Sequence, residues 1–153
     1  MIIMPNTINK KLSINLNQEI AVLRKIVEIT NSELDLNVVL GEIVAIVTMI
    51  TNADSVFIYL FDDKKKNLVL LASKTPHKKE LGKINIKAGE GITGWVAKEN
   101  KPVAISKNAY QDKRFKNFDV LPEDQYEAFL SVPIVFKGRA IGVVNIQHKE
   151  AHE

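Results

Sequence analysis

Gly89-Glu90-Gly91-Ile92-Thr93-Gly94 has the spacing G-x-G-x-x-G. In dinucleotide-binding proteins that spacing lets a backbone turn approach a pyrophosphate at a helix N-terminus. The chemistry requires a buried parallel strand before the turn and a long helix after it. Here the preceding segment, Lys83 to Lys87, alternates like an edge strand, and the following helical run, Ile92 to Glu99, has only about two turns. The glycines are therefore expected to make a tight strand-to-helix turn and to bind no phosphate. The histidines are His77, His148 and His152. The last two stand at i, i+4, but where a strand is ending, so they are read as solvated side chains and no metal site is expected. The chain has no cysteine, which excludes thiol catalysis, disulfides, iron–sulfur clusters and cysteine zinc sites. No Ser–His–Asp arrangement is visible. The carboxylates Asp112, Asp119, Glu123 and Asp124 crowd one loop, where acids are usually solvated or capping. No catalytic residue, metal or cofactor is expected.

A different chemistry is suggested by Ile92 to Ser131. Trp95, Tyr110, Phe115, Phe118, Tyr126 and Phe129 lie there, six of the ten aromatic residues, interleaved with Thr93, Asp112, Arg114 and Ser131. An irregular segment of this kind either roofs a small-molecule pocket or fills the space between a sheet and a loop. Arg114 has the same two readings. A guanidinium among aromatics suits a ligand carboxylate or phosphate, and it equally suits a surface pair with Asp112 or Asp119.

Those groups need a scaffold. Residues 1–16 are Asn-rich and expected to fray. Asn17 to Asn31 reads as a helix whose apolar residues Ile20, Val22, Leu23, Ile26, Val27 and Ile29 cover about half the wheel, wider than the usual stripe of about 100°. The extra width either faces a second copy of the chain, giving a homodimer, or sits in one deep groove of the domain's own core. Ser32-Glu33-Leu34-Asp35 resembles a capping box and opens a second helix, Leu36 to Thr51, apolar on most sides and expected to be central and buried. Then the period changes. Ser55 to Phe61 is a run of β-formers expected to be covered on both faces. Leu68 to Lys74 returns as its hairpin partner, and Lys83 to Lys87 is an edge strand. After the short helix come the strands Val103 to Ser106, Phe129 to Phe136 and Ala140 to His148, with a helical turn at Leu121 to Asp124. The order predicts an α+β domain, an antiparallel sheet with helices packed on it.

Length and charge bound the function. The 153 residues make one domain, 17–153 after the frayed start. Lys plus Arg is 21 against 18 for Asp plus Glu, an excess of 21 − 18 = 3 with no basic stripe, so no nucleic acid is expected. The most apolar run, Val38 to Ile50, has 13 residues and contains Glu42, too short for a membrane span of about 20. No leader is visible at the N-terminus, so the expected location is cytoplasmic.

Several motifs in one order give the sequence a familiar look: Gly89-Glu90-Gly91-Ile92-Thr93-Gly94-Trp95-Val96-Ala97, Lys101-Pro102-Val103, Asp112-Lys113-Arg114-Phe115, Phe129-Leu130-Ser131-Val132-Pro133-Ile134 and Ile141-Gly142-Val143-Val144-Asn145-Ile146. Together, from about Leu36 to Lys149, they resemble the GAF domain family. The resemblance implies a profilin-like, six-stranded antiparallel sheet with helices on one face and a loop-and-helix roof on the other. It implies a pocket between sheet and roof. Its floor would be Tyr59, Phe129 and Ser131, and its roof Trp95, Arg114, Phe115 and Tyr126. It further implies a non-catalytic sensor that binds a small molecule and signals to an attached effector domain or partner. The alternative is a dimerisation or protein-interaction module without ligand, such as the regulatory domain of a nitrogen-related phosphoenolpyruvate phosphotransferase enzyme I. Family branches that reduce methionine sulfoxide or carry a linked bilin work through cysteines and do not fit. Family members usually end in a long helix after the last strand. The chain stops at Glu153, so a domain cut from a longer protein is expected.

Overall fold

The computed structural model describes residues 18–26, 35–74, 80–115 and 126–152. Helix α1 comprises residues 18–26 of the first expected helix. It lies beside α2, Leu36–Thr51, with Lys25 Nζ 2.9 Å from Glu42 Oε2. Ser32 to Leu34 lie outside the described residues, and the N-cap is Asp35, whose Oδ1 accepts the Asn37 N–H at 3.0 Å. Asn52, left-handed at φ 51°, ends the helix.

Six strands follow the pattern read from the sequence: β1 Ser55–Phe61, β2 Asn67–Ser73, β3 Asn85–Lys87, β4 Val103–Ile105, β5 Ala128–Phe136 and β6 Arg139–His148. Helix α3, Gly91–Glu99, separates β3 from β4, and a 3-10 turn at Ala109–Gln111 follows β4. The sheet order is β3-β2-β1-β6-β5-β4, with every neighbouring pair antiparallel. β1 and β6 are central, so their alternating side chains are covered twice. Val56 and Ile58 point to the α2 side and Phe57 and Tyr59 to the other. Full burial of one such aliphatic side chain contributes about 1.5–3 kcal/mol. Two irregularities bend the sheet, between Ile58 and Tyr59 against β2 and between Ile134 and Val135 against β6. β4 pairs with Phe129–Ser131, so among the described residues Pro133 falls where β5 has no outer neighbour, a position that tolerates a missing N–H.

The two faces carry separate cores. On one face α2 sets Leu40 and Val44 against Val56, Ile58, Ala72 and Ile146. On the other, the roof side, Ile92, Val96 and Ala97 of α3 cover Phe57, Tyr59, Leu68, Leu70, Phe129 and Val143. One expectation needs correction. Helix α2 is not central: Leu36, Val38, Met49 and Ile50 are exposed. A helix lying on a sheet buries the side that meets the strands, and α1, which reaches α2 through Lys25 and Glu42, leaves Leu36, Val38, Met49 and Ile50 uncovered.

Candidate functional site

The glycine turn is closed on itself. The Glu90 N–H donates to Lys87 O at 2.9 Å, the Gly94 N–H to Glu90 O at 3.0 Å and the Gly89 N–H to Gly94 O at 2.7 Å. Three N–H groups of the turn are thereby occupied within it. Gly89 and Gly91 have φ of +90° and +66°, which L side chains adopt at a cost. At Gly94 a Cβ would stand 2.4 Å from Lys87 O. The glycines thus set α3 hard against the end of β3 in the expected tight strand-to-helix turn.

What α3 presents to the sheet is polar at one point. The Asn145 Nδ2 donates to Thr93 Oγ1 at 2.7 Å, and the Ser131 hydroxyl donates to Asn145 Oδ1 at 2.7 Å. All three residues are buried. They come from α3, β5 and β6, so one chain of neutral hydrogen bonds joins roof helix to sheet floor. Ser55 and Gln147 face each other across β1 and β6. Their Oγ and Oε1 atoms are buried without a hydrogen-bond partner. Gln147 and Asn145 alternate with Ile146 on β6, so both face the roof side.

Four of the aromatic residues expected at the site, Tyr59, Trp95, Phe115 and Phe129, converge on this face. Tyr59 and Phe129 are in the roof-side core, and Trp95 and Phe115 pack against it. Phe115 meets Phe129 edge to face, with ring centres 6.1 Å apart. Ser131 is fully buried, and Tyr126 is buried too. The Arg114 guanidinium lies 5.0 Å from the Trp95 ring centre and forms a double contact with Asp112, Nε at 3.0 Å and Nη2 at 2.8 Å. The Arg114 N–H also donates to Asp112 Oδ1, at 2.8 Å. These hydrogen bonds hold the Asp112 carboxyl below its ordinary value and raise Arg114. The structure therefore places Arg114 at the rim, paired with Asp112 and over the Trp95 ring. Phe118, Asp119 and the turn expected at Leu121 to Asp124 lie outside the described residues, as does His77.

Sequence reasoning left Asn145 and Gln147 out of the site, and had Thr93 only among the polar residues of the aromatic segment and Ser55 only as the start of a floor strand. The signal was present in β6, where Asn145 and Gln147 alternate with apolar residues in a central strand. A strand covered on both faces has no reason to carry two amides in register unless they meet polar partners.

A second feature lies on the α2 face. A cavity of about 540 Å³ opens past the end of α2, lined by Ile50, Ala104, Leu130 and Ile146, with His148 and His152 on its wall. The two histidines, read from the sequence as solvated, stack their rings, centres 3.9 Å apart and 12° from parallel, with His152 exposed and His148 half-buried. Burial, then the neighbouring His152, holds His148 below its ordinary value; Asp54 acts in the opposite direction. Among the described residues no group of three or more acids or histidines is placed to hold a metal ion, and no helix is long and apolar enough to cross a membrane.

A six-stranded antiparallel sheet with a helix layer behind and a short roof helix in front defines the class. The GAF domain family model matches residues 33–153, and the chain belongs to that family. Its similarities are more particular. It is 28% identical over 113 residues to the phosphoenolpyruvate-dependent phosphotransferase system protein of Escherichia coli, covering 74% of this chain and 15% of that protein. The chain thus spans a small part of that relative. The GAF domain from a phosphoenolpyruvate-protein phosphotransferase of Coxiella burnetii superposes with a TM-score of 0.79 at 27% identity, over 90% of this chain and 80% of that one. Free methionine-R-sulfoxide reductase from Neisseria meningitidis, at 18% identity and a TM-score of 0.68 over 85% and 72% of the two chains, shares the fold alone.

Proposed function

We propose that this chain is a cytoplasmic, non-catalytic sensory GAF domain that binds a small molecule between sheet and roof and biases an attached effector domain or partner. The observation that carries the reading is the Ser131–Asn145–Thr93 hydrogen-bond chain. It fastens α3 to the sheet through neutral groups that a ligand's own polar atoms can replace, beside the unpartnered Ser55 Oγ and Gln147 Oε1. Replacement would shift α3 between two positions, the differential contact that a population shift requires. Entry requires Phe115 to part from Phe129. The site residues are Tyr59, Trp95, Arg114, Phe115, Tyr126, Phe129 and Ser131, with Thr93 and Asn145 added. A non-catalytic role is supported by the proton path: the Ser131 hydroxyl donates to an amide oxygen, which is no general base. The similarity to phosphoenolpyruvate-protein phosphotransferase GAF domains supports an effector of that kind.

Native mass spectrometry of the purified chain tests the proposal, followed by a thermal-shift screen of small metabolites. A retained small molecule, or a ligand-induced rise in Tm that Thr93→Val removes, supports it. Neither, in a protein whose spectra show it folded, overturns it.

A second reading, a dimerisation module without ligand, is favoured by α1. Ile20, Leu23 and Ile26 are 41, 61 and 45% exposed on one short helix, which suits a second copy of this chain.

A further inference from the structure

We propose that the cavity on the α2 face is a second binding site, separate from the roof, for an amphipathic monoanion: an apolar body with one carboxylate. Its volume, about 540 Å³, falls within the range of small-molecule sites, about 300–1,000 Å³. Its enclosure comes from four places: the end of α2 at Ile50, β4 at Ala104, β5 at Leu130, and β6 with the turn after it. That turn is held in place. The Lys149 N–H donates to Asp54 Oδ2 at 2.8 Å, and the His152 N–H donates to Ser106 O at 2.9 Å.

The lining decides the ligand class. The floor is aliphatic, and among the described residues the lining contains no acid, lysine or arginine; its ionisable groups there are the two stacked imidazoles. Stacked rings that both took up a proton would repel each other, and burial adds to the cost at His148. The other charges around His148 do not remove that cost. Asp54 favours its protonation, while Lys74, bound to Ala53 O, opposes it. On the β5 side Glu127 is engaged at 2.9 Å by the Asn108 N–H. An anion entering the cavity supplies the missing counter-charge while its body covers the floor. Binding and imidazole protonation therefore favour each other.

The test is a two-dimensional amide NMR titration of the whole chain with octanoate, and with octanol as the uncharged control. Octanoate is expected to shift the amides of Ala104 to Ser106 and Ala128 to Leu130 saturably. It should bind about tenfold tighter near pH 6 than near pH 8, the size of one charge-assisted contact. Octanol should show no such dependence. Ala104→Trp, at an exposed position of an edge strand, should abolish the shifts in a protein whose spectrum stays folded. The double variant His148→Gln/His152→Gln should bind octanoate and octanol alike. Absence of saturable shifts, shifts confined to the roof residues, or octanoate binding unchanged by pH and by the histidine variants would each overturn the site. So would the same amides shifting on dilution alone, since a second copy would then occupy the cavity. The roof reading stands or falls separately, because Thr93→Val leaves this cavity intact.

Discussion

Asn145 on β6 and Thr93 on α3 are 52 positions apart and meet at 2.7 Å, Nδ2 donating to Oγ1 in the buried interior. Thr93→Val keeps the side-chain shape and removes the acceptor. A buried donor left without a partner costs about 1–3 kcal/mol, and urea unfolding should show a loss of that size. Combined with Ser131→Ala, the two effects should fail to add by about 0.5–3 kcal/mol, because both act on the same asparagine. Additive losses would mean that the three side chains are not one network.

Two glycines should respond oppositely to alanine. Gly94→Ala drives a Cβ to 2.4 Å from the Lys87 carbonyl, a backbone atom that cannot swing away. The expected loss is about 1–3 kcal/mol. Gly41 lies inside α2 with nothing within 4 Å of its absent Cβ. Gly41→Ala should stabilise by roughly 0.5–1 kcal/mol, through helix propensity alone. Chemical denaturation of the two variants side by side checks both signs.

Much of this was legible in the sequence. The change from helical period to unbroken β-formers at Ser55 marks β1, and the strict alternation around Ile84 and Ile86 marks an edge. The edge strand proves shorter than its pattern. Leu70 donates to Ile84 O at 3.1 Å and Gly82 to Leu70 O at 2.8 Å, so residues there stay bonded to β2 outside regular pairing. Other features are tertiary by nature. An apolar pattern on α2 says that it has a partner, but not that the sheet would take only one side. His148 and His152 show an i, i+4 spacing, but only the turn fastened to Asp54 and Ser106 brings their rings into a stack. Thr93 and Asn145 each look like an ordinary polar residue until β6 and α3 are brought together.

The exposed side of α1 predicts an assembly. If a second copy covers Ile20, Leu23 and Ile26, the chain should sediment as a dimer, and Leu23→Glu with Ile20→Glu should give a folded monomer. Exposed positions tolerate glutamate, so folding is not at risk. Wild-type protein that sediments as a monomer at all concentrations would remove the homodimer reading.

His148 should make the fold acid-sensitive. Its folded pKa lies below the ordinary 6.5, chiefly because of burial. A histidine depressed in the folded state contributes stability that is complete above the unfolded pKa. The contribution is lost as pH falls from about 6.5 through the folded value. Urea midpoints should therefore decline through that window in the wild type, and His148→Gln should flatten the decline. An unchanged slope would show that the imidazole is solvated.

Trp95 is the chain's single tryptophan, so its fluorescence reports on the guanidinium that lies over it. Arg114 is held there by Asp112, through two contacts from its side chain and one from its backbone. The pair is partly exposed, and such pairs contribute about 0–1 kcal/mol, so stability is a poor readout and local geometry a good one. The hydrogen bonds from Arg114 hold the Asp112 pKa below the ordinary 3.8. With a depressed carboxylate the contact is complete above 3.8 and fades only as pH falls through the lower folded value. Trp95 emission should therefore stay constant from neutral pH down to about 4, then change below it. Asp112→Asn should give the low-pH emission already at neutral pH. Arg114→Lys should do the same in part, since an ammonium keeps the charge but loses the planar double contact. A wild-type transition centred above 3.8, or an Asp112→Asn emission identical to wild type, would show that the carboxylate does not hold Arg114 over the ring.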